Sequence, residues 1–218
     1  MKRLALITIG LLTIPAIASA FEGVVSTTYV SEETGNLPME MIWFMDGENL
    51  LLEVKMEVDG KTESLFMLPN LSSGALYMYS ETPAENGKNF YTEVSAEDIS
   101  GGSDATFSSR LGSQKKVINE RECIALSSTG DQMVIKMWLD KSVDFPLYKF
   151  ADFFKTNYDI PALKAISQVG FPMESVTKDH SGNTIALFQV TEVEEKSLED
   201  QMFQLPQGYV PADKVFEE

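Results

Sequence analysis

The chain has one cysteine and one histidine in 218 residues. A single cysteine cannot close an internal disulfide, so stability has to come from an apolar core. Cys123 and His180 stand far apart, and a zinc site takes three or four His, Cys or carboxylate ligands. Positive charge is scarce too: 17 Lys and Arg against 33 Asp and Glu leave a net charge of −16. Such a surface repels phosphate backbones and anionic headgroups, which argues against nucleic-acid binding and electrostatic membrane docking. The acids form no run of five or more, so they read as a solvated surface rather than an acidic tail. No glycine-rich phosphate loop opens a helix, and Glu97, Asp98 and Asp104 are too scattered for a calcium loop. No cofactor and no metal are expected.

Long apolar runs are also missing, except at the start. Lys2 and Arg3 precede an apolar stretch from Leu4 to Ile17, and Ala18-Ser19-Ala20 follows with small residues where a signal peptidase reads. The stretch is shorter than the roughly 20 residues that span a bilayer. Residues 1–20 are therefore expected to be a cleaved signal peptide, leaving 21–218 as a single exported domain, periplasmic or secreted. No cysteine at the cleavage point supplies a lipoprotein anchor. Loss of Lys2 and Arg3 takes the net charge from −16 to −18.

What the chain has in quantity is short apolar segments separated by turn dipeptides, the signature of antiparallel β structure. Phe21 to Val30 alternates and is β-branched. Met39, Met41, Trp43 and Met45 share one strand face, as do Leu50, Leu52, Val54 and Met56, with Asp46-Gly47 between the two strands. Ser64–Leu68, Ala75–Tyr79 and Asn89–Val94 are further strands. Residues 95–115, rich in Ser, Gly, Asp and Ala, read as a surface loop with a helical turn at Ala96–Ile99. Val117–Leu126 and Met133–Leu139 read as a hairpin with its tip at Ser127–Gln132. Leu147, Phe150, Ala151, Phe154 and Tyr158 recur at helical spacing between Pro146 and Pro161, which predicts one amphipathic helix. Phe171–Lys178 and Thr184–Glu192 are two long strands, Ser197 and Asp200 start a short capped helix, and Phe203–Tyr209 closes the domain. The fold class is mainly β (α+β), a curved antiparallel sheet with one or two helices packed on its concave side.

Catalytic groups are poorly supplied. Asp179-His180-Ser181 spells a triad, but neighbours on a turn splay apart, whereas a triad converges through two successive hydrogen bonds. No carboxylate pair stands out, so the chain is not expected to be an enzyme. Cys123, flanked by Ile124 and Leu126 at strand spacing, reads as a buried free thiol. The methionines allow three uses: ordinary core, an adaptable ligand cavity, or a Cu(I) thioether site. Their strand-period spacing favours core or cavity over copper.

Several short motifs stand in order along the chain: Phe21-Glu22-Gly23, Cys123 followed by Trp138-Leu139-Asp140, Gly170-Phe171-Pro172-Met173, and Phe203-Gln204-Leu205-Pro206-Gln207-Gly208-Tyr209. Together they resemble the DUF4412 family of exported bacterial proteins, over nearly all of the chain after residue 20. That family is in turn similar to the LolA/LolB-like periplasmic lipoprotein carriers. The resemblance implies an unclosed barrel, helices plugging its concave side and an apolar cavity between, with 147–158 as the plug. The carriers also use an arginine inside the cavity. Here Arg110 falls in the predicted loop and Arg121 stands between two glutamates, so neither matches that role.

The expected function is non-enzymatic binding of an apolar or amphipathic, lipid-like ligand in the concave side of the sheet. Met39, Met41, Trp43, Met45, Leu50, Leu52, Val54 and Met56 would line it, with Phe150, Phe153 and Phe154 opposite. The alternative is an envelope interaction or structural protein with a closed core and no ligand.

Overall fold

The structure, a computed structural model, describes residues 21–32, 35–58, 60–84, 87–95, 107–144, 149–150, 153 and 169–213. Twelve strands form one sheet: β1 (Glu22–Ser31), β2 (Met39–Asp46), β3 (Asn49–Val58), β4 (Lys61–Asn70), β5 (Ala75–Ser80), β6 (Phe90–Ser95), β7 (Ser108–Ile118), β8 (Arg121–Thr129), β9 (Met133–Asp140), β10 (Phe171–Asp179), β11 (Thr184–Glu195) and β12 (Val210–Pro211). Their order is β12-β6-β5-β4-β3-β2-β1-β11-β10-β9-β8-β7, so the curved sheet does not close. Two antiparallel meanders, β1–β6 and β7–β11, are joined by β1 against β11, where Gly23 faces Glu195 and Ser31 faces Ala186. β12 adds a short parallel pair on β6. Register shifts at Ser26/Thr27, Pro172/Glu174 and Thr177/Lys178 bend the strands between the meanders, as bulges do.

β9 and β10 are neighbours in the sheet, yet residues 141–170 separate them in sequence. Where described, this excursion returns Val143, Phe150, Phe153 and Val169 to the main core cluster. The predicted amphipathic helix 147–158 otherwise lies outside the described residues, as do the signal peptide and the turn at Ala96–Ile99. The described part of the molecule is thus mainly β, with 3-10 turns at residues 149–150 and at Asp200–Phe203.

Four expectations need correction. Residues 108–115 are not loop but the greater part of β7, a polar and exposed edge strand that carries no apolar alternation. Arg110 therefore sits on a strand. The segment Val117–Leu126 is not one strand: Asn119 and Glu120, with φ of 49° and 64°, turn the chain between β7 and β8. Two successive positive φ values are the pattern of the tight hairpin turn that matches strand twist. The next tip is shorter than expected, because Ser127–Thr129 belongs to β8. The turn at Asp200–Phe203 carries no side-chain cap, so Ser197 does not serve as one.

Candidate functional site

Strand period 2 places alternate residues of β2 and β3 on one face, and the register pairs them: Met41 with Val54, Trp43 with Leu52, Met45 with Leu50. Val25 and Thr27 of β1 continue the row beside Trp43 and Met41. Met45, Leu50, Leu52 and Val54 are buried, Met39, Met41 and Trp43 half-buried, and Met56, at the strand's far end, is 37% exposed. Trp43 meets Phe171 edge-on at 5.8 Å, and its Nε1 donates to Thr27 Oγ1 at 3.1 Å. The Thr27 hydroxyl in turn donates to the Met41 carbonyl, which satisfies a threonine that is 2% exposed.

Phe150 and Phe153 are buried in the same cluster as Met45, Leu50 and Val25. Phe154 lies outside the described residues. The face therefore gathers most of the residues expected on it, and adds Met137, Met173, Phe171 and Val190 from the second meander, with Met67 and Met78 at its margin. These were missed because the pairing of β1 with β11, 165 residues apart at Ser26 and Thr191, is not written in local sequence.

The opposite face of β2–β6 is also apolar, which sequence reasoning did not anticipate. Leu51, Leu68 and Tyr79 are buried there, with Phe44, Phe66, Tyr77 and Tyr91 around them, under Phe203, Leu205 and Tyr209 of the C-terminal segment. Phe66 and Tyr79, opposite each other in register, stack at 5.1 Å. The Tyr209 hydroxyl donates to the Ser80 carbonyl at 3.1 Å. Burial, then the charges of Tyr209 and Glu81, push the Tyr79 phenol up to about 12. The unbroken Leu50-Leu51-Leu52 run was the available signal, since a strand covered on both faces loses its alternation.

A groove of about 560 Å³ opens at one edge of this second face. It lies where the β2–β3 and β4–β5 turns meet the C-terminal segment. Of the residues expected to line a cavity, it includes Leu50.

The remaining singled-out groups have structural partners. Arg121 donates to Asp140 and Ser142 and, through its other terminal nitrogen, to Glu195 at 2.9 Å, tying β8 to β9 and β11. Cys123 is fully buried, and burial together with the nearby Asp140 charge pushes its thiol up to about 11. The Asp179 carboxylate accepts from Asn183 rather than from a catalytic partner, and a His180 ring nitrogen sits 2.7 Å from the Asp131 carbonyl. Among the described residues no three His, Cys, Asp or Glu side chains gather as a metal site, and no helix is long and apolar enough to cross a membrane.

An unclosed sheet with two apolar faces defines the class, and the sequence supplies the family. The chain belongs to DUF4412, a domain of unknown function whose sequence model matches residues 21–209. No curated protein matches it. Among solved structures, it is similar to the MucA/MucB complex of Pseudomonas aeruginosa, at 11% identity and a TM-score of 0.46, covering 87% of this chain and 57% of that one. An uncharacterized conserved protein from Thermus thermophilus gives 10% identity and a TM-score of 0.47, over 87% and 90% of the two chains. A LolA superfamily protein from Nitrosomonas europaea gives 9% identity and a TM-score of 0.32, over 87% and 91%. The chain thus spans little more than half of the MucB-containing chain. At these identities no ligand or partner transfers to it.

Proposed function

We propose that this protein is an exported, non-enzymatic carrier that holds an apolar or amphipathic, lipid-like ligand against the Trp43–Met45–Leu50 face of its sheet. Residues 1–20 direct export to the periplasm and are removed, and 21–218 acts as one domain. The observation that supports the reading is the methionine content of that face. Met45, Met137 and Met173 are buried in its cluster, and Met67, Met78 and Met133 flank it. Unbranched thioether side chains reshape around irregular apolar guests at little cost. Phe150 and Phe153 now occupy the face. Loading therefore requires Phe150 and Phe153 to give way and admit the ligand between themselves and the sheet. Each buried CH₂ contributes about 0.8 kcal/mol, so an acyl chain of roughly ten carbons reaches micromolar affinity before ordering costs.

The protein's two tryptophans make a direct test. Trp43 is on the proposed face, whereas Trp138 lies beneath Lys136, 4.8 Å from its ring centre. Trp138→Phe leaves Trp43 as the only indole. Titration with bromine-labelled fatty acid or phospholipid should then quench its emission saturably, and Met45→Glu should abolish the quenching. Emission unaltered by every such lipid would overturn the proposal and favour the closed-core interaction protein.

A further inference from the structure

The groove on the second face has a chemistry different from that of the methionine face. Its aromatic part is a corner: the Tyr77 and Tyr91 rings stand 5.5 Å apart at 89°, with Phe203 beside them. Its polar part is mostly uncharged. Asn49, Asn70 and Gln204 contribute amides, and the one charged lining side chain, Glu48, is held by Lys149 in a salt bridge at 2.5 Å. That neutrality is unusual for a molecule with net charge −16.

The polar groups of the groove are also uncommitted. The Asn70 carbonyl oxygen accepts from the Ser72 and Ser73 amides, which leaves its amide nitrogen as a donor without a protein partner among the described residues. The side-chain amides of Asn49 and Gln204, and the hydroxyls of Tyr77 and Tyr91, likewise have no protein partner there. By contrast Tyr209, on the same face, has its hydroxyl bonded to Ser80. Uncommitted donors and acceptors in a groove hold water, and a ligand displaces that water without loss only if it returns the same bonds.

A charged ligand would find here only Glu48, already paired with Lys149, and an acyl chain would return none of the bonds that water makes to the amides and phenols. A ligand with apolar ring faces and a rim of hydroxyls meets both demands. From this lining we infer that the groove is a second binding site, for a neutral oligosaccharide, with one sugar ring seated in the Tyr77–Tyr91 corner and its hydroxyls bonded to Asn49, Asn70 and Gln204. The volume, about 560 Å³, lies in the range of small-ligand sites. The inference does not rest on the carrier reading: the tyrosine corner and the amides lie on the face opposite the methionine row, and Leu50 alone of the proposed carrier face borders the groove.

The test is calorimetric titration of the full protein with three neutral probes: maltotriose, cellotriose and triacetylchitotriose. At least one should bind with Kd in the millimolar range or better, and Tyr91→Leu should weaken it by about tenfold or more. Gln204 is exposed, so Gln204→Ala should keep the fold and weaken the same probe severalfold. Quenching of Trp43 by brominated lipid should be unaltered in both variants, which separates failure at one site from failure at the other. Absence of heat with all three probes up to about 10 mM, or affinities unmoved by both substitutions, would overturn the proposal.

Discussion

Gly170 has φ of +136°, and a Cβ built there would lie 2.0 Å from the Asp140 carbonyl oxygen. This gives the Gly170-Phe171-Pro172-Met173 motif a physical meaning: the chain re-enters the sheet against β9 so closely that no side chain fits. Gly170→Ala should cost about 3 kcal/mol or more, measured as a fall in urea midpoint, and a variant of near-native stability would contradict the geometry. Gly23 is similar, since a Cβ there would stand 2.2 Å from the Glu194 carbonyl oxygen. Proton linkage acts at the same scale. The Tyr79 phenol is raised from 10 to about 12 and the Cys123 thiol from 9 to about 11, both first by burial. Below pH 9 both groups are protonated in the folded and unfolded chains, so their contribution is fully present. Above it the unfolded chain releases protons that the folded chain retains, and stability falls as pH rises through 9 to 12. Urea midpoints at pH 8 and pH 11 should show this drop, and Tyr79→Phe should flatten it above pH 10.

At the scale of elements, the C-terminal segment is the least anchored part of the second core. It is held by Phe203, Leu205 and Tyr209 over the aromatic face, and by Val210 and Ala212 amides that donate to Asn89 and Tyr91 carbonyls. Phe203→Ala should cost about 2 kcal/mol, less than a fully buried phenylalanine, because the residue is half-buried. Limited proteolysis of that variant should cut first within 198–213, and an initial cut elsewhere would show that the segment is not the weak element. Of this packing only the Leu50-Leu51-Leu52 run is legible locally. The methionine face can be read, because Met41, Trp43, Met45 and Leu50, Leu52, Val54 alternate at period 2. The groove cannot, because it assembles from residues near 49, 70, 77, 91 and 204. β7 reads as loop because an exposed edge strand has no apolar row to bury, and the Asn119–Glu120 turn escapes notice because glutamate seldom takes positive φ.

At the scale of the whole molecule, an unclosed sheet has two edges, and each needs protection from pairing with another copy. At one edge the sheet ends in β12, only two residues long and half of it proline, which offers almost no ladder to extend. At the other edge β7 is eleven residues long, so length gives no protection. It is guarded by charge and shape instead. Arg110, Lys115 and Lys116 give it three cations and no acid, and the shift between Leu111 and Lys115 breaks its straight register. The guard is local: residues 108–140 hold five basic and four acidic side chains, while residues 21–95 hold three and thirteen. A second copy approaching edge to edge therefore meets like positive charge, although the molecule as a whole is strongly acidic. Arg110→Thr with Lys115→Thr removes two of the three cations and installs residues that favour strands. The Lys115–Glu122 salt bridge lost with them is exposed and contributes little to stability. Monomer stability should then be unchanged while the onset of aggregation, followed by light scattering, moves to lower protein concentration and shorter times. Aggregation equal to that of the unaltered protein would mean that the bulge alone protects the edge, and straightening it by deleting Gly112 and Ser113 would then release the pairing.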